Sequence, residues 1–250
     1  MFELRKALYI RLNFRLHLMK IAGKKVYGRY VTRLNRFTTV VTINGVNYHC
    51  YLPNPGRLSE LLIPRTLVLV IEQQQKKRKT AYDLLGIYHQ DQWVIVDSRL
   101  PNKLVLEALL GKTLKPFSHY RQIRTEVAYR SSRFDFLVTT ENDRCFIEVK
   151  SCTLVHKSVG LFPDAPTERG TRHLRELTQA VRNGYRASII FIIQRPDVTS
   201  IAPNDKADPE FGLILREAYR QGVEIYAYSS TYEDDEVVLG SPVAVQLDSC

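Results

Sequence analysis

A chain of 250 residues, 44% hydrophobic and 25% charged, has room for one large or two smaller domains, and its 12 Gly and 11 Pro are too few for a low-complexity or disordered chain. Lysine and arginine number 36 against 26 acidic residues, a formal net charge of +10 that suits a polyanionic partner such as DNA, RNA or an anionic membrane surface. Cys50, Cys145, Cys152 and Cys250 form no C-x-x-C pair and no Cys/His cluster at zinc spacing, so a zinc site is not indicated and a reducing, cytoplasmic setting is expected.

Residues 1–25 read as a basic N-terminal extension. Lys or Arg recurs every few positions, so no stretch approaches the roughly 20 apolar residues of a spanning helix, and stable membrane insertion is not expected. Ile10, Leu12, Phe14, Leu16 and Leu18 alternate with Arg11, Asn13, Arg15 and His17, the period of a half-buried strand. Met19 offers an alternative start, which would make the preceding residues a translation artefact.

From residue 26 to 97 the pattern is extended: VYGRYVTRL, RFTTVVTI, VNYHCYL, TLVLVIEQ, AYDLLGIYH and WVIVD, with Asn44-Gly45 as the strongest hairpin signal. PNPGRLSELL predicts a Pro/Gly turn entering one or two helical turns, and QQQKKRK a basic tip between two strands. Short strands interrupted after the third by a helical segment outline a five-stranded OB-like barrel, an architecture that binds oligonucleotides.

Residues 98–250 change to a mixed α/β rhythm. LPNKLVLEALL predicts a helix with Asn102 as a candidate N-cap, followed by strands IRTEVAYR, RFDFLVTT and RCFIEVK. A Gly/Pro loop, Gly160 to Pro166, precedes a helix capped by Thr167 and closed at Gly184. RASIIFIIQ is apolar without alternation, as a central strand covered on both faces would be; a last helix, DPEFGLILREAYRQG, leads into VEIYAYS. Repeats, phosphate-binding Gly loops and a G-x-S-x-G elbow are all missing from the sequence, which removes several enzyme classes.

Asp135 stands in the middle of the apolar run RFDFLV, where an unpaired carboxylate would cost several kcal/mol. Glu148 and Lys150 lie two apart on FIEVK, hence on one face of that strand, and a hairpin with RFDFLV brings Asp135 to the same face. Two carboxylates beside an ammonium suit a hard divalent cation, Mg²⁺ or Mn²⁺, and phosphodiester chemistry, with Lys150 positioning water or stabilising charge. The competing reading is an ion-pair network of structural use only. Glu107 and Glu126 are candidate further carboxylates, set against a solvent-facing helix position and a salt bridge with Arg124.

Through RFDFLV, IEVKSCTL, FPDAPTERGTRHLREL, PNPGRL and NKLVLEALL the chain resembles the sugar fermentation stimulation protein A (SfsA) family from about Val26 to the C-terminus. That resemblance implies an OB-like domain, a C-terminal domain of the PD-(D/E)xK nuclease fold, and DNA binding with a regulatory role in sugar metabolism. It matches Asp135, Glu148 and Lys150 to the nuclease motif and Glu107 to the helix glutamate that completes it as a metal ligand. Phe134 stands where the motif's proline would be, which bears on activity rather than fold.

Nucleic-acid contacts are expected from Arg33, Arg36 and Phe37, a cation–aromatic group of the kind found on single-strand binding surfaces, with Arg29 and Asn35 alongside. Lys76, Lys77, Arg78 and Lys79 form a basic tip suited to phosphates, and Arg169, Arg172 and His173 share a helix face with Glu176 toward the same cleft. For His173 alone a structural or solvent-exposed role is the expectation. The residues are compatible with two functions: a metal-dependent nuclease acting on DNA, with RNA as a further substrate, or a non-catalytic DNA-binding regulator. Homo-oligomers are common in this fold class.

Overall fold

The computed structural model describes residues 18–74 and 78–248. The alternation over residues 10–17, and the charges of Lys76 and Lys77, fall outside them.

The short strand β1 (Leu18–Lys20) leads into the barrel strands β2 (Lys25–Asn35), β3 (Thr38–Ile43), β4 (Val46–Tyr51), β5 (Leu67–Glu72), β6 (Tyr82–His89) and β7 (Gln92–Ile95). Their order is β4-β3-β2-β5-β6-β7, and an additional parallel β4–β6 pairing closes β2 to β6 into a five-stranded barrel. Closure removes the open edges that strands so rich in Val, Ile and Tyr would otherwise expose to aggregation. Asn44 and Gly45 both adopt positive φ, 49° and 82°, as a two-residue turn between β3 and β4 demands. The predicted helical turns after PNPG reduce to one: Leu61 and Leu62 both donate to the Leu58 carbonyl. Pro64, which has no amide N–H to donate back and disfavours helical backbone at Ile63, stops a second turn.

The second domain runs α1 (Leu100–Leu110), β8 (Gln122–Tyr129), β9 (Ser132–Thr139), β10 (Arg144–Cys152), β11 (Val155–His156), β12 (Val159–Phe162), α2 (Glu168–Arg182), β13 (Arg186–Ile193), β14 (Ser200–Pro203), α3 (Pro209–Arg220), β15 (Glu224–Glu233), β16 (Glu236–Pro242) and β17 (Ala244–Val245). Its main sheet has the order β1-β16-β15-β13-β10-β9-β8, mixed in direction, with parallel β10–β13 and β13–β15 pairs at its centre. The region expected as loop at Gly160 instead includes β12, which pairs with β14 in a separate four-stranded sheet. Strands β11, β12, β14, β16 and β17 are not foreseen from the sequence; all but β16 have four residues or fewer, too short to show a period. β1 belongs to the sheet of the second domain, where Met19 pairs with Val237 and is 5% exposed.

Two apolar layers cover this sheet. On one face α2 and α3 bury Leu174, Leu177, Phe211 and Leu215 against Phe134, Phe146 and Ile189. On the other, α1 contributes Leu104, Val105 and Leu109 to a core that also takes Leu69, Leu85 and Ile95 from the outside of the barrel. Burying each such Leu or Ile stabilises by about 1.5–3 kcal/mol, so the two domains are joined by a shared core and not by a tether alone. The Ile95 amide adds a backbone bond to the Gln194 carbonyl at 3.2 Å. This docking brings Arg36 and the Asn54–Gly56 loop of the barrel to one cleft with Glu148 to Cys152 at the C-terminal end of β10.

Candidate functional site

The alternation of β9 breaks at Asp135. Phe134 packs into the helix-side core, whereas Phe136, two residues on, packs into the opposite one. Across the hairpin on β8, Glu126 has φ +53°, and neither Glu126 nor Asp135 has a paired partner in the otherwise regular ladder. The β9–β10 ladder ends at Ile147–Phe136, one position before Asp135 and Glu148 would meet. The backbone N–H of Val149 donates to Asp135 Oδ2 at 2.7 Å, so a side chain takes a main-chain donor at the point where the strands part. That opening creates the site.

Asp135 Oδ1 accepts from Asn102 Nδ2 at 2.5 Å. The sequence predicts Asn102 as the cap of α1, but the N-cap position is Arg99, without a side-chain cap bond, and Asn102 in the first turn is directed to the carboxylate. Glu107 is corrected by the same geometry. It lies five residues further along α1, about 140° around the axis from Asn102, and does not line the cleft. Glu126 is also outside it, paired instead with Arg133 at 2.8 Å on the surface.

Glu148 is 3% exposed. Its Oε1 accepts from Lys150 Nζ at 2.6 Å and from His173 Nδ1 at 2.5 Å, while its Oε2 is buried without a hydrogen-bond partner. His173 Nε2 accepts from Arg169 Nε at 3.4 Å, which leaves the proton on Nδ1, where it is donated to Glu148. The contact of Lys150 Nζ with the same Nδ1 at 3.4 Å therefore joins two donors and is not a bond.

Electrostatics separate the two carboxylates. Burial, reinforced by the neighbouring Glu148 charge, raises Asp135 to about 7 despite the Val149 amide, Lys150 and Asn102. Burial acts on Glu148 in the same sense, but Lys150 and His173 outweigh it and hold Glu148 below the ordinary carboxylate range. One carboxylate is thus committed to its charge, and the other carries it only at the cost of repulsion.

A cleft of about 340 Å³ collects these groups, lined by Asn102, Asp135, Glu148 and Lys150 together with Arg36 and the Asn54–Gly56 loop from the barrel, and Asp164 and Arg169 from the approach to α2. Among the described residues no group of three or more His, Cys, Asp or Glu is gathered for a metal ion; Asp135 and Glu148 share the floor, while Asp164 lines the wall and accepts from the Arg57 amide.

The basic residues singled out in the sequence fall into different environments. Arg33 is not a free cation: its N–H groups donate to the carbonyls of Asn35, Arg36, Asn54, Gly56 and Arg57. Arg36 lines the cleft and Phe37 is exposed beside it. Arg78 pairs with Asp83 at 2.5 Å; Lys79 is exposed and away from the cleft. On α2, Arg169 lines the cleft, Arg172 is exposed outside it, and His173 and Glu176 face inward, with Glu176 accepting from the Ser131 hydroxyl. The polar face expected on this helix is therefore half buried, with His173 and Glu176 inside and Arg169 and Arg172 exposed. Asn54, Gly56 and Asp164 are site residues that sequence reasoning does not single out, although PNPGRL and FPDAP are visible as motifs.

Comparison with known proteins bears on most of the chain. The sugar fermentation stimulation protein RE domain matches residues 99–236, and the SfsA N-terminal OB domain matches residues 31–96. The chain belongs to the SfsA family. A sugar fermentation stimulation protein homolog from Moorella thermoacetica is 45% identical over 232 residues, 92% of this chain and 100% of the relative. One from Natranaerobius thermophilus is 45% identical over 228 residues, 88% of this chain and 95% of the relative. The structure of SfsA from Pyrococcus furiosus, in complex with Ca²⁺, is similar at a TM-score of 0.85 and 31% identity, covering 92% of this chain and 98% of that one. The expected OB-like barrel is the SfsA OB domain. No helix among the described residues is long and apolar enough to cross a membrane.

Proposed function

We propose that the chain is a DNA-binding, divalent-metal-dependent phosphodiesterase in which Asp135 and Glu148 hold Mg²⁺ or Mn²⁺ and Lys150 assists. The observation that carries this reading is the pairing of a half-buried carboxylate, Asp135, with a buried one, Glu148, on a cleft floor, the latter with an oxygen, Oε2, that no protein donor satisfies. A buried orphan acceptor and a repelled Asp135 are what a cation would relieve. The donor set fits a cation of the magnesium type, which is held by one or two carboxylates and keeps several waters. The related Pyrococcus furiosus protein forms a complex with Ca²⁺, another oxygen-seeking cation. When bound, such an ion supplies neutralisation of phosphate charge and a more acidic water.

The chain's own residues do the rest. His173 and Lys150 occupy Oε1 of Glu148 and leave Oε2 for the ion. Asn102 and the Val149 amide fix the Asp135 carboxylate. Lys150 spends one N–H on Glu148 and has others for a phosphate oxygen or the attacking water. Arg36 and Arg169, lining the same cleft, supply positive charge for the DNA backbone, consistent with the net charge of +10.

A second reading, a non-catalytic DNA-binding regulator of sugar metabolism on the same scaffold, is favoured by the sparseness of the site: among the described residues no three acidic, His or Cys groups are gathered for a metal, and the cleft's third carboxylate, Asp164, accepts from the Arg57 amide on the wall. Incubation with single-stranded, duplex and branched DNA and with RNA in Mg²⁺ or Mn²⁺ separates the two. Cleavage by the wild type, lost in Asp135→Ala and Glu148→Ala while DNA binding persists, is the expected result. Binding without cleavage of any substrate would leave the regulator.

A further inference from the structure

The floor carrying Asp135 and Glu148 is walled by both domains, by Arg36 and the Asn54–Gly56 loop on one side and by the approach to α2 on the other. At about 340 Å³ the cleft is at the lower end of the roughly 300–1,000 Å³ of a site for one small ligand. A duplex carries its phosphates on the outside of a rod whose major groove alone is about 12 Å wide. A cleft of this volume matches one nucleotide that has left its pair better than the full width of a duplex.

Arg36 and Phe37 are the two central residues of the β2–β3 turn; Arg36 lines the cleft and Phe37 follows it just outside the lining. Phe37 is 42% exposed and absent from the barrel core, so its ring contributes little to folding. The Arg36 guanidinium lies 5.5 Å from its centroid, and the Tyr51 ring supports it from 6.3 Å. This tip is held in place. Arg33 staples it to the Asn54–Arg57 loop, the Phe37 amide donates to Asn35 Oδ1 at 2.9 Å, and the Arg57 amide donates to Asp164 of the second domain at 2.8 Å. An exposed aromatic beside a cation, fixed at the rim of an acidic floor, has the composition and the preorganisation of a base-stacking platform.

We propose that Phe37 and Arg36 clamp one unpaired nucleotide, Phe37 against the base and Arg36 against the phosphate, so that the substrate is single-stranded or locally unpaired DNA and not intact duplex. The inference rests on the phosphodiesterase reading for the chemistry at Asp135 and Glu148, but the clamp has a readout of its own.

A DNA 12-mer carrying 2-aminopurine, free or in a blunt duplex, is titrated with the full chain in Ca²⁺, and anisotropy and 2-aminopurine fluorescence are recorded. The wild type is expected to bind the single strand at least about ten-fold tighter than the duplex and to change the base fluorescence. Phe37→Ala is expected to weaken single-strand binding by about ten-fold and abolish the fluorescence change, as loss of one stacked base would. Phe37→Tyr should keep both, and Arg36→Ala should weaken binding while keeping the fluorescence change. Equal affinity for strand and duplex, or a Phe37→Ala variant that behaves as wild type, would overturn the clamp. A wild type that binds strands through Phe37 yet cuts nothing in Mn²⁺ would sustain the clamp and remove the phosphodiesterase.

Discussion

His173 Nδ1 donates to Glu148 Oε1 at 2.5 Å, from a position where the imidazole is 1% exposed. The bond ties the helix α2 to strand β10 and fixes which oxygen of the carboxylate stays free. Glu148 keeps its charge in a buried place because this donor and Lys150 share one oxygen.

His173→Ala should therefore cost about 1–3 kcal/mol of stability, the penalty for a buried acceptor that loses a partner. Cleavage should fall by more than the stability loss explains, since Glu148 can then rotate. His173→Asn, whose amide can reach where Nδ1 sits, should restore most of both. A thermal melt and a rate for each variant check this; equal damage from Ala and Asn would mean that ring packing, not the donated proton, matters.

Asp135 makes the metal-free protein sensitive to pH. Its folded value of about 7 lies above the unfolded carboxylate value near 3.9, so the unfolded chain releases this proton first. Asp135 favours the fold fully only below about pH 4, and that contribution is lost as pH rises toward 7. Asp135→Asn should thus be more stable than wild type at pH 8, with the gap closing toward pH 4. Divalent-metal affinity of the wild type should climb through pH 7 as the proton leaves. Parallel melting curves for the two proteins from pH 4 to 8 would contradict the raised value.

Arg33 is expected to be worth more to stability than Arg36 because its guanidinium satisfies five carbonyl contacts and Arg36 is exposed. Arg33→Lys keeps the charge but loses the planar fork, and should cost about 2–3 kcal/mol, against under about 0.5 kcal/mol for Arg36→Ala. Denaturant midpoints of the two variants compare them directly.

Gly56 sits where an added Cβ would overlap the Asp164 carboxylate and crowd Asn54 Oδ1. Gly56→Ala should push the barrel loop off Asp164 and break the Arg57 amide bond that docks it. Hydrogen exchange at Arg57 should rise while the barrel core stays protected. Unchanged exchange would show that Asp164 moves aside at no cost.

Most secondary elements are legible in the sequence because their signals are local. Asn44-Gly45 and the apolar run of β13 each declare themselves within ten residues. Thr167, the predicted cap of α2, accepts from the Gly170 amide at 3.0 Å. Strands of two to four residues escape such reading because so short a segment has no period and is held by its neighbours.

What the sequence by itself determined is that Asp135, Glu148 and Lys150 occur on adjacent apolar strands, with the i and i+2 spacing that puts Glu148 and Lys150 on one face. What only the tertiary structure decided is which neighbouring polar groups are free and which are spent. Arg33 and Arg36 look alike in the sequence, yet the first is consumed by carbonyls up to 24 residues away and the second is left at the cleft. Asn102 and Glu107 lie on one helix, yet the rotation of α1 against the sheet brings the amide, not the carboxylate, to Asp135. Strand alternation is a property of consecutive residues, whereas hydrogen-bond satisfaction depends on groups that only folding brings together.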